Sequence, residues 1–237
     1  MTAAGWRAIA AEGLGALLLV GTVIGSGILA DAMSADDAVA LLGNTLATAS
    51  MLAVLILALG PVSGAHLNPA VTLVMTLRRE LPPGRALAYV LAQCAGAAAG
   101  AMLAHAMFGL PLIQTATHAR AGFATAMADG VATFGLVFAI LAVRRARPEA
   151  VAWAVALVIA AGYWWTSSTS FANPAVTLAR SLTNTFSGIR AADVAGFIAA
   201  QLVGALAGWG AFAGLYPAAS SAGATHASRS HPSTSSG

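Results

Sequence analysis

Long apolar stretches alternate with short polar segments along almost the whole chain. A helix needs roughly 20 residues to cross a bilayer core about 30 Å thick. Six stretches come close to that length, roughly 9–30, 38–60, 86–108, 122–143, 150–166 and 192–215. The fifth is short and ends in Tyr163, Trp164 and Trp165, which is typical of an interfacial aromatic belt. The pattern predicts an all-α membrane protein with six transmembrane helices.

The composition supports this prediction and removes other classes of protein. Of the 237 residues, 59% are hydrophobic and 8% are charged, against about 25% charged in ordinary soluble domains. A soluble enzyme and a nucleic-acid partner are therefore excluded. Because Cys94 is the only cysteine, a disulfide framework and a multi-cysteine metal site are excluded too. We expect no metal site and no cofactor.

The arginines predict the orientation. If the N-terminus is cytoplasmic, eight of the eleven cations lie inside, and only Arg120, Arg180 and Arg190 lie outside. This bias follows the positive-inside rule, so we expect both termini in the cytoplasm of a multi-pass protein of the inner (plasma) membrane. The segment 218–237 is rich in Ser, Ala and Thr, and we interpret it as a disordered cytoplasmic tail behind a membrane domain over 1–217.

The chain contains an internal duplication. The letters Asn-Pro-Ala-Val-Thr-Leu occupy 68–73 and again 173–178. A second echo, Gln-x-x-Gly-x-x-x-Gly, begins at Gln93 and at Gln201. The halves, about 7–108 and 121–215, each hold three spans, so the second half enters the membrane from the opposite side. Inverted repeats place their site near the midplane. We expect the glycine pairs to pack the two halves together.

Each repeated hexamer predicts a short helix inside the membrane. Pro69 suits the first turn of a helix, and Asn68 suits its N-cap. The apolar runs 68–77 and 173–182 give helices about 15 Å long, half the bilayer core. We therefore predict two re-entrant half-helices. Because irregular backbone at this depth needs protein or water beside it, the preceding loops are expected to line a water-filled path.

These features together resemble the aquaporin family, also called major intrinsic proteins. The resemblance implies a tetramer with one pore in each protomer, lipid as surroundings, and single-file passage of water and small neutral solutes. It implies pore roles for the two repeated motifs, Asn68, Pro69, Ala70, Asn173, Pro174 and Ala175. It also implies a vestibule position for His66, and loop-supporting roles for the buried acids Glu12 and Asp129. A proton relay is the alternative role for these two acids.

The outer constriction departs from the family pattern. Members usually carry Arg directly after the second Asn-Pro-Ala motif, where this chain has Val176. By spacing from the motifs, the other constriction residues are Thr48, Ser170 and Ala161, or Gly162 if the fifth span slips. Such a ring has no aromatic group and no charge, which predicts a wide mouth. Arg180 should lie about 6 Å beyond Val176 along the helix, nearer bundle contacts or a loop.

The expected function is passive conduction of small uncharged solutes through a wide pore. Members that resemble this chain, with a residue other than Arg after the second motif, occur among bacterial arsenic-resistance channels. On that resemblance, metalloid hydroxides such as arsenite, with glycerol and water, are the favoured solutes. A glycerol facilitator or general water channel is the alternative. A proton-coupled secondary transporter, which also uses inverted repeats, is a further alternative. No nucleophile–base pair lies near the motifs, so an enzyme is not expected.

Overall fold

The computed structural model of the protein describes residues 2–216 of the chain. Eight α-helices form this part of the protein: α1 (Ala3–Met33), α2 (Asp37–Ser63), α3 (Pro69–Leu77), α4 (Pro83–Met107), α5 (Phe123–Ala146), α6 (Val151–Trp165), α7 (Pro174–Arg180) and α8 (Ala191–Leu215). All but α3 and α7 are long and apolar enough to cross a membrane, α6 together with the 3-10 turn Pro148–Ala150 before it. The predicted all-α fold with six spans is confirmed. The predicted tail, 218–237, lies outside the described residues.

The helices α3 and α7 are the two half-helices that the repeated hexamers predict. Each begins at the proline of its motif and has the preceding asparagine as N-cap. The side-chain oxygen of Asn68 accepts the N–H of Ala70 at 2.8 Å, and Asn173 accepts that of Ala175 at 3.0 Å. The second half-helix ends at Arg180, two residues before the predicted end at 182.

The paired glycines pack helices within each half. A Cβ on Gly96 of α4 would overlap the carbonyl oxygen of Gly13 in α1, and one on Gly204 of α8 would overlap that of Gly130 in α5. The prediction that these glycines join the two halves is therefore wrong. Small residues four apart allow close approach of any helix pair, and here the pairs are the first and third spans of each half.

Candidate functional site: a cavity between two asparagine-capped half-helices

The two repeat halves meet at their asparagines. The Asn68 Nδ2 donates to the carbonyl oxygen of Ala172 at 2.7 Å, and the Asn173 Nδ2 donates to that of Leu67 at 2.8 Å. Each side chain thus caps its own half-helix and holds the loop of the other half. Because Nδ2 carries two hydrogens and each amide makes one such bond within residues 2–216, one N–H of each asparagine is left for a solute.

Glu12 of α1 fixes the loop before α3. Its Oε1 accepts hydrogen bonds from the Ser63 hydroxyl (2.7 Å) and the His66 N–H (2.9 Å). Its Oε2 accepts from the Leu67 N–H (2.6 Å) and from Gln93 Nε2 (2.7 Å). A fully buried carboxylate is costly unless its oxygens are satisfied, and here both oxygens are. Glu12 thus accepts two backbone N–H groups of this loop.

Asp129 of α5 occupies the equivalent position in the second half. Its Oδ1 accepts the N–H groups of Phe171 (2.9 Å) and Ala172 (3.2 Å), and its Oδ2 accepts from Gln201 Nε2 (2.6 Å). With one methylene fewer than Glu12, it still reaches two backbone N–H groups. Both acids are fully buried and face loop backbone.

The supported loops have unusual backbone geometry. Ala65 and Leu67 have φ of 46° and 50°, and Thr169, Ser170 and Ala172 have φ of 59°, 51° and 46°. None of these residues is glycine, and the left-handed region costs non-glycine residues about 1–3 kcal/mol each. Such strain persists only where the surroundings impose it, and the hydrogen bonds to the two acids do so here.

A cavity of about 240 Å³ runs past both asparagines. At one end it is lined by Met75, His66 and Arg144, and at the other end by Thr48 and Arg180. Most of the remaining lining side chains are aliphatic: Leu19, Val23, Leu52, Ile56, Val71, Leu136, Ile140, Val151, Val155, Ile159 and Val176. Within the part of the chain that the structure describes, no carboxylate lines the cavity.

At the Arg144 end, one carboxylate pairs with two arginines. Nη2 of Arg144 lies 2.6 Å from Glu80 Oε2, and Arg78 Nε lies 2.8 Å from Glu80 Oε1. Burial acts to raise the pKa of Glu80, but the hydrogen bonds and charges of these two arginines prevail and hold that pKa below its usual value. His66 lies in the lining of this end, as the vestibule interpretation expects, and its Nδ1 is 3.1 Å from Thr72 Oγ1.

At the other end, three of the four expected constriction residues line the cavity. These are Thr48, Ser170 and Val176, all buried. Ala161 is exposed on α6 and is not part of the lining, so its assignment is wrong. The alternative, Gly162, is buried, and a Cβ there would come within 2.5 Å of the Ser170 Oγ. A rotation of about 100° per residue along a helix separates the two.

This end also contains aromatic and charged side chains that were not expected there from the sequence. Tyr163, expected in an interfacial belt, is 4% exposed, lines the cavity, and donates its hydroxyl to Thr48 Oγ1 at 3.3 Å. Phe171 and Arg180 line the cavity as well. The prediction of a constriction without aromatic groups or charge therefore needs correction, although Val176 itself leaves its position small and apolar.

Comparisons with known proteins agree with this architecture. The family model described as Major intrinsic protein matches residues 1–149 and 113–237. The chain is 57% identical to "Aquaglyceroporin AqpS" of Rhizobium meliloti (strain 1021) over 200 residues, 84% of this chain and 86% of that protein. It is 49% identical to "Lens fiber major intrinsic protein" of Gallus gallus over 96 residues, 40% of this chain and 35% of that protein.

A solved structure has the same fold. The X-ray structure of the aquaglyceroporin from Plasmodium falciparum matches with a TM-score of 0.68, over 90% of this chain and 98% of that one. Sequence identity is 19%, so this likeness concerns the arrangement of the helices alone.

Proposed function

The chain belongs to the major intrinsic protein family of non-enzymatic, multi-pass membrane channels, and on that premise we propose that it is a passive channel for small uncharged solutes. The favoured solutes are metalloid hydroxides such as arsenous acid, with glycerol and water. The observation that carries the proposal is the cavity itself, which passes both asparagine amides and has no carboxylate in its described lining.

The lining suits a neutral solute with hydroxyl groups. The free N–H of each asparagine can donate to a hydroxyl oxygen, and the hydroxyls of Thr48 and Ser170 can donate or accept at one end. The aliphatic side chains opposite them suit the carbon edge of a polyol. Arsenous acid is neutral near pH 7 and presents hydroxyl groups, so it makes the same hydrogen bonds as glycerol.

The expectation that solutes larger than water pass rests on Val176 and on one relative. An arginine at this position would extend several ångströms further than valine, so Val176 leaves room for a solute larger than water. The 57% identical relative from Rhizobium meliloti is named an aquaglyceroporin, which supports a pore wider than a strict water filter. A glycerol facilitator or general water channel remains the second candidate, because the same lining suits those solutes.

Proteoliposomes and stopped-flow light scattering test the proposal. The wild-type protein is expected to accelerate the entry of water, glycerol and arsenous acid over protein-free vesicles. Val176→Arg is expected to lower glycerol and arsenous acid flux about tenfold, a barrier increase of about 1.4 kcal/mol, while water flux falls less. Val176→Thr, of nearly the same size and without charge, is the matched control and should preserve all three fluxes.

The outcomes separate the candidate functions. Passage of water without glycerol or arsenous acid would contradict the wide pore and favour a water channel, and passage of glycerol without arsenous acid would favour a glycerol facilitator. Uptake that follows an imposed pH gradient would favour the proton-coupled transporter. The described lining offers few groups for proton coupling, because His66 is the only residue in it whose ordinary pKa lies near neutral pH.

Orientation, location and assembly are further parts of the proposal. The arginine distribution supports cytoplasmic termini in the inner (plasma) membrane, so that the Arg144 end of the cavity faces the cytoplasm and the Arg180 end faces outward. Large exposed apolar side chains on the long helices, such as Leu87, Leu157 and Val203, suit lipid or neighbouring protomers of a homotetramer. Protease protection of tagged termini would test the orientation, and native mass spectrometry would test the assembly.

A further inference from the structure

Arg180 is a buried cation without a buried carboxylate partner. It is 3% exposed, and no acid lies within salt-bridge distance of it among residues 2–216. Burying an ionised group is expensive unless it is paired and hydrogen-bonded, and charged residues inside membrane proteins commonly mark solute paths. The position of Arg180 therefore needs an explanation beyond packing.

Two contacts orient the Arg180 guanidinium. Its Nε donates to the carbonyl oxygen of Ser187. Its central carbon lies 3.4 Å from the centroid of the Phe171 ring, a stacked cation–π arrangement. These contacts use one nitrogen and one face of the group. The terminal Nη donors make no hydrogen bond within the described chain, and Arg180 belongs to the cavity lining.

An independent feature of the same end points to a ligand. The hydroxyl of Ser170 is buried and lacks a hydrogen-bond partner within the described residues. Ser170 is 4% exposed, lines the cavity, and directly precedes Phe171, on whose ring Arg180 stacks. An unsatisfied buried hydroxyl costs free energy, and rotation of the Ser170 side chain toward the cavity would let a hydroxylated solute supply the missing partner.

We propose that Arg180 is the selectivity arginine of this pore, moved one helical turn along α7 from the position that Val176 occupies. Residues four apart lie on the same helix face, so the guanidinium reaches the same pore from further out. There it repels cations and donates hydrogen bonds to neutral hydroxylated solutes, with Ser170 as the second polar partner. At the position one turn before Arg180, the small side chain of Val176 leaves the pore open to larger solutes. This inference rests on the proposed function.

Urea and guanidinium, a neutral molecule and a cation of similar planar shape, provide the test. In proteoliposomes the wild-type channel should pass urea and exclude guanidinium and protons. Arg180→Gln should raise guanidinium entry by roughly two orders of magnitude, the factor expected for two unit charges about 6 Å apart at an effective dielectric constant of about 20. Proton leak, followed with an entrapped pH dye, should rise with it.

A control variant separates this role from general surface charge. Arg190 has its own partner, Asp193, at 2.8 Å and does not line the cavity, so Arg190→Gln should leave both leaks unchanged. If Arg180→Gln does not assemble, Ser170→Asp retains Arg180 itself but places a carboxylate beside Phe171. That variant should produce the same guanidinium leak.

The two proposals fail in different ways. A wild-type channel that excludes urea would contradict the proposed function, and the proton leak of Arg180→Gln would then still test the arginine. The role of Arg180 would be overturned if the wild-type channel passes urea and the assembled Arg180→Gln variant still excludes guanidinium and protons. If Arg180→Gln does not assemble, the same result for Ser170→Asp would overturn it.

Discussion

The two halves of the molecule match at the centre of the membrane and differ at its surfaces. At the centre, Gln93 Nε2 bonds Glu12 and, at 3.0 Å, the Thr72 hydroxyl, and Gln201 Nε2 bonds Asp129 and, at 2.7 Å, the Thr177 hydroxyl. Asparagine, acid, glutamine and threonine thus form the same network twice. The repeated residues are those that hold loop backbone in place.

The two ends of the cavity, each of which includes an arginine of the second half, carry different arrangements of charge. Arg144 at one end is paired with Glu80, whereas Arg180 at the other end contacts a carbonyl group and an aromatic ring. Duplication thus preserved the network that holds the pore loops, while side chains that differ between the two halves determine what each end admits. Changes in the frame should therefore affect folding, and changes at the ends should affect selectivity.

The largest expected effect concerns the glycines that pack each half. In Gly204→Ala, the new Cβ meets the backbone of Gly130, which cannot move aside. We expect the free energy of unfolding to fall by about 3 kcal/mol or more, at the upper end for overpacking. Gly210→Ala is the matched control, because a Cβ there meets nothing within 4 Å. Thermal unfolding followed by size-exclusion chromatography measures both, and equal losses would contradict this packing account.

The two acids should respond differently to removal of charge. In Glu12→Gln, either orientation of the amide sets its NH₂ against a backbone N–H, of His66 or of Leu67, because each carboxylate oxygen accepts one of them. We expect a loss of about 2–3 kcal/mol in unfolding free energy.

Asp129→Asn should cost less. Both backbone N–H groups bond to Oδ1, and Oδ2 accepts from Gln201. The Gln201 amide can turn its unpartnered Oε1 toward the new NH₂ group. The same unfolding experiment compares the two variants, and a greater loss for Asp129→Asn would contradict the asymmetry.

The smallest effect is expected at the Arg144 end. Glu80→Gln leaves Arg144 without its carboxylate and makes this end resemble the other one. Because the pair is partly exposed, we expect cation entry to change by less than about fivefold. Since its neighbours lower the pKa of Glu80, the pairing is complete at neutral pH and is lost only as pH falls through that lowered pKa. Guanidinium uptake through the Arg180→Gln channel, which is expected to admit this cation, should therefore show the same small effect at pH 5.5 and 7.5.

The helical framework of this molecule could be predicted because it depends on hydrophobic periodicity and on a repeated sequence motif. Hydrophobic length predicted six spans, and the duplicated hexamer predicted both half-helices, with Asn68 and Asn173 as their caps. The register of α6 could not be predicted in the same way. That helix is apolar on almost every face, so nothing in the pattern indicates that Tyr163 faces the cavity and Ala161 does not.

Arg180 and Phe171 illustrate a second limit of the sequence. The spacing of four between Val176 and Arg180 did contain the signal that both lie on one helix face. Whether a side chain on that face reaches the cavity depends on the course of the loops around Phe171 and Ser187, which tertiary contacts determine. The glycine pairs likewise indicated close packing but not which helices would be partners.

A cryo-EM structure of the full chain in lipid nanodiscs, with glycerol at high concentration, would show whether solutes pass between the two asparagines. We predict a continuous line of density along the cavity, with solute oxygens within hydrogen-bond distance of Nδ2 of both Asn68 and Asn173. A cavity closed by side chains between the two asparagines, or solute density confined to the outside of the helix bundle, would contradict it.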